Sequence, residues 1–260
     1  MPASASQNPA AGVDLSGRTV LVTGGASGIG LACVHRMAAA GAKLVVLDIN
    51  ADAAARVAEE VGGESRAADL TQSDVLDDLA DLTADIVVNN AGFQRVAPVH
   101  EFPPDVFAAM MRLMVEAPFR LVQASLPRMY ERGYGRVINI SSAHGRVASP
   151  FKVGYVTAKH ALEGMSKVVA LEAGSHGVTS NCINPGYVRT PLVEKQIADQ
   201  ANVHGIPESE VIETVMLARS AVKRLAEPAE VAELAVYLCS PAAALINGAS
   251  LVIDGGWTAG

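Results

Sequence analysis

The segment Thr23–Gly30, TGGASGIG, joins an apolar run, Arg18–Thr23 (RTVLVT), to a run of helical composition, Ile29–Ala40. A strand that leaves through glycines and re-enters as a helix must turn tightly. Gly24, Gly28 and Gly30 free that turn of side chains, so an anion can approach backbone N–H groups at the helix N-terminus. The pattern predicts a pyrophosphate cradle built from Thr23, Gly24, Ser27, Gly28, Ile29 and Gly30. A tight strand-to-helix turn without a ligand is the plainer alternative.

The same alternation continues along the chain. Lys43–Asp48 (KLVVLD), Asp85–Asn89 (DIVVN), Gly135–Ser141 (GRVINIS), Val178–Ile183 (VTSNCI) and Ser250–Asp254 read as strands, and Ala51–Val61, Tyr155–Gly174 and Glu227–Cys239 as helices. Strands this apolar on both faces belong to a parallel sheet covered by helices on each side, an α/β fold. No Pro/Gly/Ser linker divides the chain, so residues 15–260 are expected to form one domain rather than two small ones, after a mobile tail over 1–14. Leu192–Lys223 breaks the rhythm. It is helical in composition, charged throughout and set between two sheet elements. It reads as a substrate lid, or as a surface insertion with no moving part.

The tail lacks the basic start and apolar centre of a secretory signal. The longest uncharged stretch, Leu234–Ile253, is interrupted by Pro241, Asn247 and Gly248. Neither export nor a membrane span is therefore expected. A net charge of −7 argues against a nucleic-acid surface and leaves room for a local basic pocket. Cys33, Cys182 and Cys239 form no CxxC and no Cys/His group, so no metal site is expected. They read as small buried residues of a cytoplasmic, reduced protein.

Asp48 closes its strand 18 residues past Gly30. A carboxylate there accepts hydrogen bonds from ribose hydroxyls and repels a 2′-phosphate, and the glycine loop has no basic residue to offset that repulsion. NAD rather than NADP is predicted. Asp69 and Leu70 follow a short turn segment and are placed to meet the adenine. Asn89-Asn90-Ala91-Gly92 ends another strand, and Gly92 leaves room for a ribose. Asn89 reads equally as a backbone tie or as a ligand contact.

Tyr155 and Lys159 stand four apart at a helix start and share one face. The ammonium is expected to lower the phenol's pKa, making Tyr155 an acid/base near neutral pH. Ser142 follows the GRVINIS strand, where parallel sheets meet their ligands, and its hydroxyl can hold a substrate oxygen beside Tyr155.

TGGASGIG, NNAG, Ser142, Tyr155/Lys159 and Pro185-Gly186, in this order, resemble the short-chain dehydrogenase/reductase family from Leu15 to the C-terminus. The resemblance implies a single Rossmann-type domain, a doubly wound seven-stranded parallel sheet and a homotetramer. It implies that Ser142 positions a carbonyl, Tyr155 exchanges the substrate proton, and Lys159 binds the nicotinamide ribose. It further implies NAD contacts at Asn90, Gly92, Pro185, Gly186, Val188 and Thr190, the last at the carboxamide.

Three segments narrow the resemblance: NNAGFQRVAPVHEF (Asn89–Phe102), HGRVASPFKVGYVTAK (His144–Lys159) and PGYVRTPLVEKQI (Pro185–Ile197). With the ending Gly255-Gly256-Trp257 they are similar to family members that interconvert (R)-3-hydroxybutyrate and acetoacetate. The positions matching those that hold the small acid are Gln94, His144, Lys152 and Gln196. A carboxylate needs such a set, a cation with amide or imidazole donors. Each of the four also reads as an ordinary loop or surface residue.

One position departs from the family. The helix after NNAG usually carries an Asn that completes a tetrad with Ser, Tyr and Lys; here RLMVEAPF puts Met114 there. A thioether cannot replace an amide's hydrogen bonds, so the proton relay is expected to differ. Pro118 has no N–H for the Met114 carbonyl, which predicts a kink. The freed carbonyl would hold the water that links Lys159 to solvent, or the kink serves packing alone. Two other functions remain beside the hydroxybutyrate reading. Reduction of a 3-oxoacyl group on a carrier protein, or action on another 3-hydroxy acid or secondary alcohol, keeps the class. Asp48 and the net charge oppose the carrier-protein case. A non-catalytic NAD-binding protein rests on Met114 alone.

Overall fold

Successive residues of a strand face opposite sides of its sheet, and in Thr19–Thr23 (β1) both sides are apolar. Val20 and Val22 enter one buried cluster and Leu21 the other. Such a strand requires cover on both faces. The computed structural model describes residues 12–260, with Asp77 described by its backbone only; apart from 12–14, the tail expected over 1–14 lies outside the described residues. In chain order the elements are β1, α1 (Gly28–Ala39), β2 (Lys43–Asp48), α2 (Ala51–Val61), β3 (Glu64–Ala67), α3 (Ser73–Asp77), β4 (Ile86–Asn89), α4 (Pro104–Met111), α5 (Ala117–Glu131), β5 (Gly135–Ile140), α6 (Val153–Ala173), β6 (Val178–Pro185), α7 (Pro191–His204), α8 (Glu208–Val211), α9 (Pro228–Cys239) and β7 (Ser250–Ile253).

The seven strands form one parallel sheet in the order β3-β2-β1-β4-β5-β6-β7. The chain winds outward from β1 to β3, returns to the centre at β4, and winds outward the other way. The strand order therefore reverses between β1 and β4, and a crevice opens beyond their C-terminal ends, where such sheets bind ligands. Helices α1, α2 and α9 cover one face through Val34, Met37, Val57, Val231 and Leu238. Helices α5 and α6 cover the other through Leu121, Val122, Met129 and Ala173. Asp85, fully buried just before β4, accepts from the Thr19 amide and pairs with Arg128 and Arg132, locking β1, β4 and α5 at the end opposite the crevice.

Three features add to or differ from the sequence reading. The turn segment before Asp69 contains β3, ESRA, an edge strand exposed at all four residues, whose polarity hides it from an apolar pattern. The helix after NNAG changes its hydrogen-bond ladder just before Pro118. A π turn, Arg112–Glu116, links α4 to α5, with the Ala117 N–H donating to the Arg112 carbonyl five residues back. The π turn reshapes the hydrogen-bond ladder at the place where Pro118 withdraws a donor, and Pro118 itself is buried. The 192–223 segment folds into the rest of α7, α8 and a second π turn, Ile212–Met216. It has its own apolar cluster of Val193, Ala201, Val211 and Met216, which packs on Tyr187.

All three cysteines are free and buried. Among the described residues no helix is long and apolar enough to cross a membrane.

Candidate active site

The crevice at the strand reversal is held together by its own side chains. Thr23 Oγ1 accepts from the Asn90 and Ala91 amides at 2.9 and 3.0 Å, and Asn90 Nδ2 donates to the Thr23 and Gly24 carbonyls at 3.0 and 3.1 Å. Asn90 thus ties the end of β4 to the glycine loop while lining the cavity beside it. Gly24 and Gly28 take φ of +62° and +53°, and a Cβ on Gly30 would overlap the Gly24 carbonyl and crowd Asn90 Nδ2. Asn89 Nδ2 donates to Asn139 Oδ1 at 2.8 Å, a buried side-chain link between β4 and β5.

Asp48 sits at the mouth of this loop, where it accepts from the Ala26 and Asn50 amides, each at 3.0 Å. A cavity of about 490 Å³ runs past Gly24, Ser27, Asp48, Asp69, Leu70 and Gly92, bounded on the far side by Lys195 and Asp199 of α7. Leu70 is buried, and Asp69 is engaged with the Thr71 amide and hydroxyl. A side-chain-free loop at a helix N-terminus, a carboxylate at the strand end and an adjoining cavity fit a nicotinamide dinucleotide. Ile29, Pro185, Gly186, Val188 and Thr190 line the inner pocket that continues from it. Thr190 also caps α7 by accepting from the Val193 amide, and its methyl lies against Gly28.

Tyr155 and Lys159 occupy the first turns of α6. Ser142 caps a short turn, Ala143–Gly145, and its hydroxyl accepts from the His144 amide at 3.1 Å. The same hydroxyl shares the pocket with the Tyr155 phenol and favours its ionised form. Lys159 Nζ lies 5.5 Å from the centre of the Tyr155 ring and donates to the Ile140 carbonyl at 2.7 Å. The expected fall in the Tyr155 pKa is not what the surroundings produce. Burial pushes the phenol up, with the Ser142 hydrogen bond working against it. Lys159 is itself pushed down to about 8 by burial, partly offset by Cys182 and Glu163. Desolvation is the larger influence on both groups, which sit on the first turns of α6 facing the pocket.

The anion end is built around Lys152. Phe151, just before it, has φ of +68°, rare for a residue with a side chain, and its carbonyl is held by the Ala97 amide. That turn delivers Lys152 into the pocket, 3% exposed, where Nζ donates to the Tyr187 hydroxyl at 3.1 Å. Burial brings its pKa down to about 8. His144 Nε2 pairs with Ser149 Oγ at 3.0 Å, and the ring packs on Trp257 at 5.4 Å. Burial and the nearby Lys152 lower His144 to about 3, so it is neutral across the working range.

Gln94 Nε2 and Gln196 Oε1 are buried without hydrogen-bond partners in this cavity, a costly condition for amides that a ligand would relieve. Gln94, Ser142, His144, Lys152, Tyr155, Lys159 and Gln196, drawn from widely separated parts of the sequence, line one pocket. Tyr187, Ser149 and Trp257, which the sequence reading did not assign, complete its wall or buttress it. Met114 is buried with Met110 and Ala158 against Tyr155, its sulfur close to Gly92, so the usual amide position is apolar.

Comparison with known proteins agrees with this geometry. Residues 24–258 match the family model described as Enoyl-(Acyl carrier protein) reductase. The chain is 44% identical, over 93% of its length and 99% of the relative's, to D-beta-hydroxybutyrate dehydrogenase of Rhizobium meliloti. It is 40% identical to the protein of the same name from Cupriavidus necator, over 94% of this chain and 99% of the other. A crystal structure from Beutenbergia cavernae, of a candidate NAD(P) dependent gluconate 5-dehydrogenase with NADP bound at low occupancy, superposes with a TM-score of 0.82. It is 30% identical and covers 95% of this chain and 99% of that one.

Proposed function

The chain belongs to the short-chain dehydrogenase/reductase family, and we propose that within it this protein interconverts (R)-3-hydroxybutyrate and acetoacetate with NAD. The observation that carries the reading is the convergence of Lys152, His144, Gln94 and Gln196 on the pocket that holds Ser142 and Tyr155. A buried cation with the unpartnered Gln94 Nε2 donor beside it suits a carboxylate, and its closeness to the Ser/Tyr pair suits a short hydroxy acid. The two relatives named for this activity support it.

Bound in the cavity between Asp48 and the glycine loop, NAD would supply the hydride acceptor. Everything else falls to the chain. Ser142 and Tyr155 grip the C3 oxygen, and Tyr155 takes the hydroxyl proton during oxidation, or returns it during reduction. Lys159, kept charged, stabilises the phenolate that forms. Lys152 leaves the Tyr187 hydroxyl for the substrate carboxylate, while neutral His144 and Gln94 complete the donor set, and Gln196 joins it by releasing its Nε2 from the Leu192 carbonyl. The 192–223 segment, with Gln196 on its first helix, acts as a lid that closes as the acid binds. Asp48 opposes a 2′-phosphate and so favours NAD. The protein works as a cytoplasmic homotetramer, with exposed Phe119, Val168 and Leu171 covered by neighbouring copies.

Initial rates on (R)- and (S)-3-hydroxybutyrate, longer 3-hydroxy acids and uncharged secondary alcohols, each with NAD and NADP, test the reading. The (R)-acid with NAD is expected to lead. A best substrate without a carboxylate, or equal use of NADP, would reject it.

A further inference from the structure

Helix α6 repeats a polar residue every four positions along one face: Tyr155, Lys159 and Glu163. The third of these has no part in the chemistry above, yet it is only 6% exposed. Glu163 Oε1 accepts from Asn184 Nδ2 on β6, and Oε2 accepts from Ser250 Oγ on β7, each at 2.5 Å. Asn184 Nδ2 also donates to the Ser142 carbonyl at 2.9 Å. One buried carboxylate therefore joins the helix bearing Tyr155 and Lys159 to the ends of two strands and, through Asn184, to Ser142.

Burying a carboxylate is costly, and hydrophobic packing would serve a purely structural role with less penalty. The groups facing Lys159 show what the charge does. From α6 come Tyr155 and Glu163, from β5 the Ile140 carbonyl, and from β6 Cys182. Burial pushes the Cys182 thiol far up, so it stays neutral. The negative charge acting on Lys159 is that of Glu163. Met114, packed with Met110 and Ala158 against Tyr155, brings only apolar contact.

We propose that Glu163 is a positioning residue of this site: its carboxylate sustains the positive charge of Lys159 and, through Asn184, fixes the backbone of Ser142. This rests on Lys159 holding the cofactor ribose and supporting Tyr155, as proposed above; it does not depend on which hydroxy acid is the substrate.

The test is Glu163→Gln, which keeps the shape and removes the charge, compared with Glu163→Asp, which keeps the charge. Two pH profiles are read, that of kcat and that of NADH affinity by fluorescence titration, with folding followed by thermal melting. In the Gln variant the alkaline limb, set by loss of the Lys159 charge, moves down by about one pH unit in both profiles. In the Asp variant it stays near that of the parent. A folded Gln variant with both limbs unmoved overturns the proposal, as does an Asp variant displaced as far as the Gln one. Should Glu163→Gln not fold, Asn184→Leu decides, since it cuts the link to Ser142 while leaving the Glu163 carboxylate in place with its second donor, Ser250. It must lower kcat by about tenfold or more without moving the limb, and an unchanged kcat overturns the proposal. NADH binding needs no hydroxy acid, so an error in the substrate assignment leaves this result readable.

Discussion

Replacing Lys152 by Met separates recognition of the carboxylate from the chemistry at C3. Lys152 is 3% exposed, so a carboxylate paired with it is shielded from solvent. At about 4 Å and an effective dielectric near 20, the attraction is about 4 kcal/mol, within the roughly 2–5 kcal/mol measured when one partner of a buried charge pair is truncated. At 1.36 kcal/mol per factor of ten, kcat/KM on 3-hydroxybutyrate should fall by about 30- to 5,000-fold. The methyl ester, which reacts at the same carbon but carries no charge, should lose less than about tenfold. Both rates are followed by NADH absorbance. The parent protein supplies an internal check. Because burial holds Lys152 near 8, its charge is present below that pH and lost above it, so KM for the acid, but not the ester, should climb as pH passes about 8. The folded pKa lies below the unfolded value of 10.5, so the buried charge costs stability below pH 8 and the cost is relieved as pH rises toward 10.5. Met removes that cost, and the variant should melt no lower than the parent at pH 7. Equal losses on acid and ester would refute the reasoning and make Lys152 a structural residue.

Asp48→Ala should narrow the preference for NAD over NADP, read as the ratio of kcat/KM values; an unchanged ratio would remove Asp48 from cofactor choice. His144 is held near 3, so no acidic limb between pH 5 and 7 should vanish in His144→Gln; a limb near 6.5 lost in that variant would contradict the neutral imidazole. Met114→Asn places an amide among Met110, Ala158 and Tyr155. It should cost about 1–3 kcal/mol of stability without raising kcat, whereas a severalfold faster, equally stable variant would show that Met114 impairs a relay.

The apolar strands and the glycine loop were readable because each announces itself within a few residues. Edge strand β3 was not: its four residues are all exposed, so no burial pattern marks them. The π turn before Pro118 was also hidden. A missing N–H says that the ladder must change but not whether the helix bends or widens. At the site, Ser142, Tyr155 and Lys159 could be found from spacing. Tyr187, Ser149 and Trp257 could not, because their roles arise from contacts across the pocket. The direction of the Tyr155 pKa was misjudged for a related reason. Spacing brings Lys159 near, but only the fold reveals the desolvation that both groups meet.

The most direct measurement is a crystal structure with NAD and acetoacetate, two oxidised ligands that cannot turn over together. The account predicts the ketone oxygen on the Ser142 and Tyr155 hydroxyls, and the carboxylate on Lys152 with His144, Gln94 and Gln196 around it. The Lys152–Tyr187 hydrogen bond should give way to the carboxylate. A carboxylate bound elsewhere, with Lys152 still on Tyr187, would contradict it.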